Sequence, residues 1–137
     1  MIAASVLCLA MNIYHEARGE PLAGQLAVGF STMNRVADKR YPDTVCGVVH
    51  QAKYYGWDMN NPIRNQCQYS WFCDGLSDNP QDGKAMLESV ILSQNIIAGN
   101  VTDISEGATH YHADYVHPYW ADTLTSVLYI GSHIFYK

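Results

Sequence analysis

The strongest constraint on the fold is a run of apolar residues at helical spacing that opens the chain. Apolar side chains recur three and four positions apart, the spacing of the buried face of a helix; they are Ala3, Leu7, Ala10, Met11 and Tyr14. The pattern predicts a helix over about residues 2–15, and Gly19 just beyond it offers a C-terminal stop. No basic segment precedes the run, and it is too short to span a bilayer. We therefore interpret it as a core helix rather than as a signal peptide or a membrane anchor.

Two more long helices and one short helix follow from similar patterns. A second apolar stripe predicts a helix over about residues 20–39. Asp43 or Thr44 can cap a short helix over residues 45–51. A third long helix is predicted over about residues 81–98, between an Asn-Pro pair that opens it and a glycine that ends it.

The segments between these helices are expected to contain the strands. Residues 52–79 hold Gly, Asn, Pro and aromatic residues without helical spacing, which predicts a long irregular insert with one short hairpin around residues 68–72. A second hairpin is predicted over residues 127–136. Together the patterns predict a mainly α (α+β) fold in one domain over residues 1–137, with about three main helices.

The composition narrows the classes of partner. Of the 137 residues, 48% are apolar and 15% are charged, which is typical of a globular protein. A formal net charge of −5, with eight scattered basic residues, argues against nucleic-acid binding, which requires clustered Lys and Arg. Ten Tyr and three Trp suit a groove that stacks sugar rings, although most aromatic residues fill cores. We expect no nucleic-acid or membrane partner, no cofactor, and a monomer.

The four cysteines are compatible with either a reducing or an oxidising compartment. Cys8 lies inside the first apolar helix, which predicts a buried thiol. The other three lack the C-x2-C spacing of a tetrahedral metal site. One disulfide among Cys46, Cys67 and Cys73 is expected in an oxidising setting, and the spacing leaves its pairing open.

Glu16 is the first candidate for acid chemistry. It follows the apolar face of the first helix and precedes Gly19, so it should project where the helix ends. A carboxyl that apolar neighbours shield has a raised pKa, as a general acid near neutral pH requires. The alternative is a solvated Glu paired with Arg18 or a nearby Lys. Glu20 immediately precedes a helix N-terminus, which favours the charged form, so we expect a capping role for it instead.

A second candidate is the pair His110 and His112. Alternation along a strand would place both rings on one face, where they could bind a metal with Asp114, His117 or Glu16. No HExxH helix accompanies them. We therefore expect two histidines that line a polar cleft, and no metal.

The third candidate is the segment Gln68-Tyr69-Ser70-Trp71. Alternation would point Tyr69 and Trp71 one way and the two polar side chains the other. A hydroxyl and an amide near an acid could position a sugar or a water molecule. The alternative is an ordinary hairpin with one buried aromatic face.

Several ordered blocks give the chain a resemblance to the SleB-type cell wall hydrolases, a family with spore cortex-lytic, phage and proteobacterial members. The blocks span nearly the whole chain, and they are residues 13–21 (IYHEARGEP), 24–28 (GQLAV), 33–36 (MNRV), 68–75 (QYSWFCDG), 107–112 (GATHYH) and 116–120 (VHPYW). Several such blocks in order are far more specific than any single motif.

The resemblance implies a lysozyme-like fold related to lytic transglycosylases. It implies cleavage of the β-1,4 bond between N-acetylmuramic acid and N-acetylglucosamine, with Glu16 as the catalytic acid. The other blocks are then expected to line the glycan groove, through Tyr69, Ser70, Trp71, Thr109, His110, Tyr111, His112 and Trp120.

Two reactions are compatible with this implied site. A glycosidase with two carboxylates needs a second acid roughly 5 to 9 Å from the first, and the blocks offer only Asp74 and Asp114. A lytic transglycosylase needs Glu16 alone and leaves a 1,6-anhydromuramic end, with Tyr69, Ser70 or Tyr111 orienting the substrate. We favour transglycosylation, with a hydrolytic muramidase that uses the same Glu16 as the alternative.

Two other classes remain as alternatives. One is a metal-dependent wall amidase or peptidase that uses His110 and His112, and the other is a peptidoglycan-binding module without activity. The site of action is expected to be the periplasm or the cell wall. Without a recognisable signal peptide, we expect either a phage lysin in the host cell or a domain of a secreted enzyme.

Overall fold

Helices form one half of the fold and two small antiparallel sheets form the other, over the residues 2–137 that the computed structural model describes. The helices are α1 (Ala4–Ala17), α2 (Leu22–Ala37), α3 (Val45–Val49) and α4 (Gly83–Ile97). The strands are β1 (Ala52–Tyr55), β2 (Asp58–Cys67), β3 (His110–Ala113), β4 (Ser126–Ile130) and β5 (His133–Tyr136). Two short 3-10 helices cover Ser70–Cys73 and Tyr119–Thr123. The predicted α+β class with about three main helices is confirmed.

Helix α1 is the centre of the helical layer, because it packs against α2, α3 and α4. Leu9 and Ile13 on its apolar face are 0% and 1% exposed, and they join the main hydrophobic cluster. The helix begins and ends two residues later than predicted, so Glu16 lies within its last turn. Gly19 follows with φ of +87°, a conformation that suits glycine, as the predicted stop requires.

The other predicted helices are present with shifted ends. Helix α3 ends at Val49, and Thr44 caps it by accepting a hydrogen bond from the Gly47 backbone N–H at 3.0 Å. Helix α4 begins two residues later than predicted, because Asp82 is its cap and accepts from Ala85. None of the helices in residues 2–137 has the length and apolar character needed to cross a membrane.

The hairpin predicted around residues 68–72 was wrong. The hairpin of the insert is β1–β2, and residues 70–73 instead form a 3-10 helix. Strand β2 is mostly polar and exposed, it contains Pro62, and its pairing with β1 is irregular, so it lacks the alternation of a half-buried strand. The hydrogen bond from Gln68 N to Gln51 O closes the base of this hairpin.

The second sheet has the strand order β3-β5-β4, all antiparallel. The predicted C-terminal hairpin is confirmed as β4–β5, and its turn residue Gly131 has φ of +59°. The sheet adds β3 at its other edge, where Tyr111 pairs with Phe135. Alternation along β3 points Tyr111 towards the helical layer, while His110 and His112 project from the opposite face.

Two disulfides cross-link the fold, and they correct the prediction for Cys8. Cys8 is not a free buried thiol, because it pairs with Cys46 and joins α1 to α3. Cys67 pairs with Cys73 and joins the end of β2 to the first 3-10 helix. The error arose because spacing along the chain does not show that α3 packs beside α1.

Glu20 also differs from its predicted role. Helix α2 has no side-chain cap, and the residue before its first turn is Pro21. The Glu20 carboxylate instead accepts hydrogen bonds of 2.9 Å from the backbone N–H and the hydroxyl of Ser132. Glu20 therefore connects the α1–α2 loop to the β4–β5 turn, because the unpaired N–H of that turn offers a better partner than the helix end.

Candidate active site

The centre of the candidate site is the Glu16 carboxyl in the last turn of α1. It is partly buried, and its Oε1 accepts a hydrogen bond of 2.5 Å from the hydroxyl of Tyr111. Burial raises the pKa of Glu16, because removal from water disfavours the anion; the Tyr111 hydrogen bond and the charge of Arg35 oppose that rise. Glu16 is thus suited to hold a proton closer to neutral pH than an exposed Glu does.

Tyr111 reaches Glu16 from β3, on the face of the strand that packs against the helices. Its ring lies 5.4 Å from the ring of Phe135 and 5.2 Å from that of His133, measured between centroids. Burial and the neighbouring Glu16 charge raise the pKa of Tyr111 well above its usual value, so its hydroxyl stays protonated. Tyr111 therefore acts as a fixed donor to Glu16.

Arg35 is the residue of this site whose role the sequence did not predict. It is only 4% exposed, and its Nε donates to the Thr109 carbonyl at 2.6 Å. Its guanidinium lies over the rings of Tyr41 and Tyr69, at 4.9 Å and 5.5 Å from their centroids. Its Nη1 is buried without a hydrogen-bond partner, and no carboxylate within residues 2–137 forms a salt bridge with it.

An unpaired buried cation is costly, so its presence beside an acid is informative. The signal in the sequence was a charged residue beside the apolar stripe of α2, close to Met33 and Val36. Periodicity alone does not reveal it, because Arg35 is one position away from that stripe and could have faced solvent. Only the folded chain brings Thr109, Tyr41 and Tyr69 against the guanidinium.

The segment around the first 3-10 helix contributes buried rings and one exposed hydroxyl. Tyr69 and Trp71 are 4% and 7% exposed, so both rings support the site from beneath and present little face to a ligand. Trp71 donates to Asn12 Oδ1 at 2.9 Å and stacks on His15. Ser70 is exposed and does not share this buried layer.

Thr109 and His110 lie beside Arg35. The Thr109 hydroxyl contacts His110 Nδ1 at 2.9 Å, and Tyr41 contacts His110 Nε2 at 3.5 Å. Burial, and then the charges of Arg35 and Arg40, lower the pKa of His110 to about 4. His110 is therefore neutral at neutral pH and serves as a hydrogen-bonding group.

His112 and Trp120 form a second cluster, on the face of β3 opposite to Tyr111. Trp120 contacts the rings of His110 and His112, with centroids 5.1 Å and 5.7 Å apart. Both ring nitrogens of His112 are already engaged, Nδ1 with the Ala113 carbonyl and Nε2 with the Tyr136 hydroxyl.

Within residues 2–137 no group of three His, Cys, Asp or Glu side chains is arranged to hold a metal ion. The two histidines share a face, as alternation predicts, but Glu16 is not on it.

The candidate second carboxylates are engaged elsewhere. Asp74 accepts from the Leu76 backbone N–H in the loop after the first 3-10 helix. Asp114 is exposed and accepts from the Tyr129 hydroxyl at 2.6 Å. The groups that act on the pKa of Glu16 are Tyr111 and Arg35, and neither is an acid.

The chain is similar to known wall enzymes over most of its length. A family model described as Cell Wall Hydrolase matches residues 19–136, a match that begins just after Glu16. The spore cortex-lytic enzyme of Oceanobacillus iheyensis is 31% identical over 94% of this chain and 40% of its own length. That of Bacillus subtilis is 28% identical over 93% of this chain and 35% of its own length. The chain thus spans well under half the length of these curated relatives.

Two solved structures resemble the fold. The catalytic domain of the germination-specific lytic transglycosylase SleB from Bacillus anthracis has a TM-score of 0.69 and 27% identity, covering 97% of this chain and 93% of that one. The catalytic domain of Bacillus cereus SleB has a TM-score of 0.61 and 27% identity, covering 100% and 93%. The prediction of a SleB-type family is confirmed. The chain belongs to the cell wall hydrolase family.

Proposed function

We propose that this domain cleaves the β-1,4 bond between N-acetylmuramic acid and N-acetylglucosamine as a lytic transglycosylase, with Glu16 as its only general acid and base. The observation that supports this most is the environment of Glu16: a shielded carboxyl next to a phenol and a buried cation. The likeness to a domain described as a lytic transglycosylase supports the same reaction.

The proposed reaction needs no second acid and no water. Glu16 donates its proton to the glycosidic oxygen as the bond from that oxygen to the muramic anomeric carbon breaks. The 6-hydroxyl oxygen of the same muramic residue then bonds to that carbon, and its proton passes to the Glu16 carboxylate. The products are a free 4-hydroxyl on N-acetylglucosamine and a 1,6-anhydromuramic end, and Glu16 is again protonated.

Tyr111 and Arg35 would stabilise the Glu16 carboxylate midway through this cycle. Tyr111 donates to Oε1 of the carboxylate, and Arg35 supplies positive charge without direct contact. Arg35 is buried, Tyr111 is partly buried, and both are held by other contacts, so they need little rearrangement when the charge forms. In this scheme Tyr111 and Arg35 are positioning residues.

The remaining predicted residues divide into two groups in the proposed site. Tyr69, Trp71 and Thr109 are buried and would shape the site around the substrate. Ser70, His110, His112 and Trp120 stay our proposed glycan contacts. Of these, His112 is 8% exposed, so it would contact the substrate least directly.

We propose that the domain acts outside the cytoplasm, in the periplasm or the cell wall, either as a phage lysin or as part of a secreted enzyme. All four cysteines are paired in two disulfides. Disulfides form and persist mainly in oxidising compartments. This supports a place of action on the outer side of the cytoplasmic membrane.

Mass spectrometry of the soluble fragments from purified sacculi tests the reaction. We expect muropeptides with 1,6-anhydromuramic ends, each lighter by one water than the hydrolytic product. Reducing ends on muramic acid would instead indicate a muramidase that uses the same Glu16. Free amino groups with intact glycan strands, or activity lost in EDTA, would indicate a metal-dependent amidase or peptidase, and binding without any fragments would indicate a non-enzymatic module.

Replacement of Arg35 by Gln should move the alkaline limb of the pH profile of kcat/KM to higher pH. The reaction needs protonated Glu16, so kcat/KM falls as pH rises through the pKa of Glu16. The charge of Arg35 lowers that pKa, so its removal raises the pKa and delays the fall. Arg35→Lys keeps the charge and should leave the limb in place.

A control for this profile is Arg64→Gln, which removes an exposed cation on β2. The profile of this variant should match the unmodified protein. If Arg35→Gln folds normally and its alkaline limb does not move, Arg35 does not set the proton affinity of Glu16.

A further inference from the structure

We propose that the groove between the base of the β1–β2 hairpin and Tyr119 binds the N-acetylated sugars that flank the cleaved bond. This inference rests on the proposed function, because it assigns a place for the rest of the same glycan strand. Of the residues that line the groove, only Gln68 belongs to a candidate segment that the sequence singled out, and Glu16 is not among them.

The groove is open and has a volume of about 760 Å³, within the usual range of ligand sites. The hairpin supplies one wall, and the second 3-10 helix supplies the other through Tyr119. The lining residues are Gln51, Ala52, Lys53, Asn65, Gln66, Cys67, Gln68 and Tyr119. The hydrogen bond from Gln68 N to Gln51 O and the Cys67–Cys73 disulfide hold the hairpin wall in place.

The chemistry of the lining matches an amino-sugar polymer. Four amide side chains can each donate to and accept from hydroxyl and acetamide groups. Tyr119 is 89% exposed, so its ring has a free face on which a sugar can stack. An aromatic platform combined with several amides is a poor match for an apolar ligand.

Charge in the groove also differs from that of the protein as a whole. The chain has a net charge of −5, yet the groove contains Lys53 and no carboxylate. A muramic residue bears a lactyl carboxyl, which is either free or linked to a peptide that itself ends in carboxylates. Lys53 would therefore favour an anionic glycan over a neutral one.

Each wall of the groove leads along the chain to a residue near Arg35, whose charge acts on Glu16. On the hairpin side Gln68 precedes Tyr69, whose ring lies under the Arg35 guanidinium. On the other side Tyr119 precedes Trp120, whose ring contacts His110. A strand cleaved at Glu16 could thus continue into the groove without leaving the surface.

Binding to an inactive protein tests the groove separately from catalysis. In a Glu16→Gln background, Tyr119→Ala should weaken binding of soluble uncross-linked glycan strands by roughly five- to tenfold, the effect of losing one stacking ring. Tyr115→Ala is the matched control, because Tyr115 is 83% exposed and lies outside the groove. Equal binding by the two variants would overturn the proposal.

The nature of the ligand is tested with Lys53→Gln in the same background. This variant should bind anionic glycan strands more weakly, and it should bind uncharged N-acetylglucosamine oligomers as the Lys53 protein does. An equal loss of affinity for both ligands would contradict the role of charge. If free stem peptides compete for binding as strongly as glycan does, the groove is a peptide site instead.

Weaker binding by Tyr119→Ala, together with reaction products that lack anhydro ends, would support the groove while refuting transglycosylation.

Discussion

Replacement of Glu16 by Gln is expected to lower the rate of sacculus lysis by at least about a thousandfold, within the range that a general acid contributes. The amide cannot donate the proton that the leaving oxygen needs, and it cannot accept one from the 6-hydroxyl. Binding of sacculi should be nearly unchanged, because the amide has almost the same shape as the carboxyl. Loss of turbidity measures lysis, and sedimentation with sacculi measures binding.

The same variant should not be less stable than the original protein. Burial raises the native pKa of Glu16 above its value in the unfolded chain, so the native state loses stability as pH rises through that native pKa. Glu16→Gln has no charge to bury. Its free energy of unfolding in urea should exceed that of the original protein at about pH 8, and the difference should shrink at about pH 4.

Glu88→Gln is the matched control, because Glu88 is exposed on α4. It should lyse sacculi at the normal rate. If Glu16→Gln lyses normally, the assignment of Glu16 is wrong; if it is inactive only because it unfolds, the role of Glu16 is structural.

Removal of the Cys8–Cys46 disulfide is expected to lower the free energy of unfolding by about 4 kcal/mol. The bond closes a long loop, so without it the unfolded chain gains more conformational entropy. The two cysteines are 38 residues apart, whereas Cys67 and Cys73 are 6 apart. The same dependence on loop length gives about 2 kcal/mol for removal of the Cys67–Cys73 disulfide. Urea unfolding of the two Cys→Ser double variants measures the difference.

The order of the two double variants should be reversed for activity: the variant without the shorter disulfide should be the more stable but the less active. Cys67 lines the proposed glycan groove, and Cys73 ends the 3-10 helix next to Tyr69 and Trp71, so their bond holds residues near Glu16. The Cys8–Cys46 bond joins α1 to α3. At a temperature where both variants are folded, the Cys67→Ser/Cys73→Ser variant should lyse sacculi more slowly. The reverse order would show that the shorter disulfide does not shape the site.

Helices were the part of the fold most readily predicted from the sequence. Helical spacing, caps and glycines act between residues close in the chain, so the pattern identifies α1, α2 and α4 with ends wrong by two residues or so. The C-terminal hairpin was also predicted, because apolar strands flank a glycine turn. Strand β2 was missed, because a polar, exposed strand has no apolar alternation to detect.

The candidate site was predicted unevenly. Glu16 was proposed from its place at a helix end and from the family blocks, and its catalytic role stays a prediction. Arg35 was not assigned a role, although it belongs to one of those blocks. The roles of Cys8 and Glu20 were wrong, because each depends on a partner 38 or 112 residues away.

The local pattern of residues determined which segments are helices, that Glu16 lies near the end of the first of them, and which family the chain belongs to. Tertiary packing alone decided that Tyr111 donates to Glu16, that Arg35 is buried beside it, and that Trp120 packs against His110 and His112. Local structure depends on neighbours within a few residues. The proton affinity of Glu16 instead depends on burial, on the hydrogen bond from Tyr111 of β3 and on the charge of Arg35 from α2, which only the folded chain brings together.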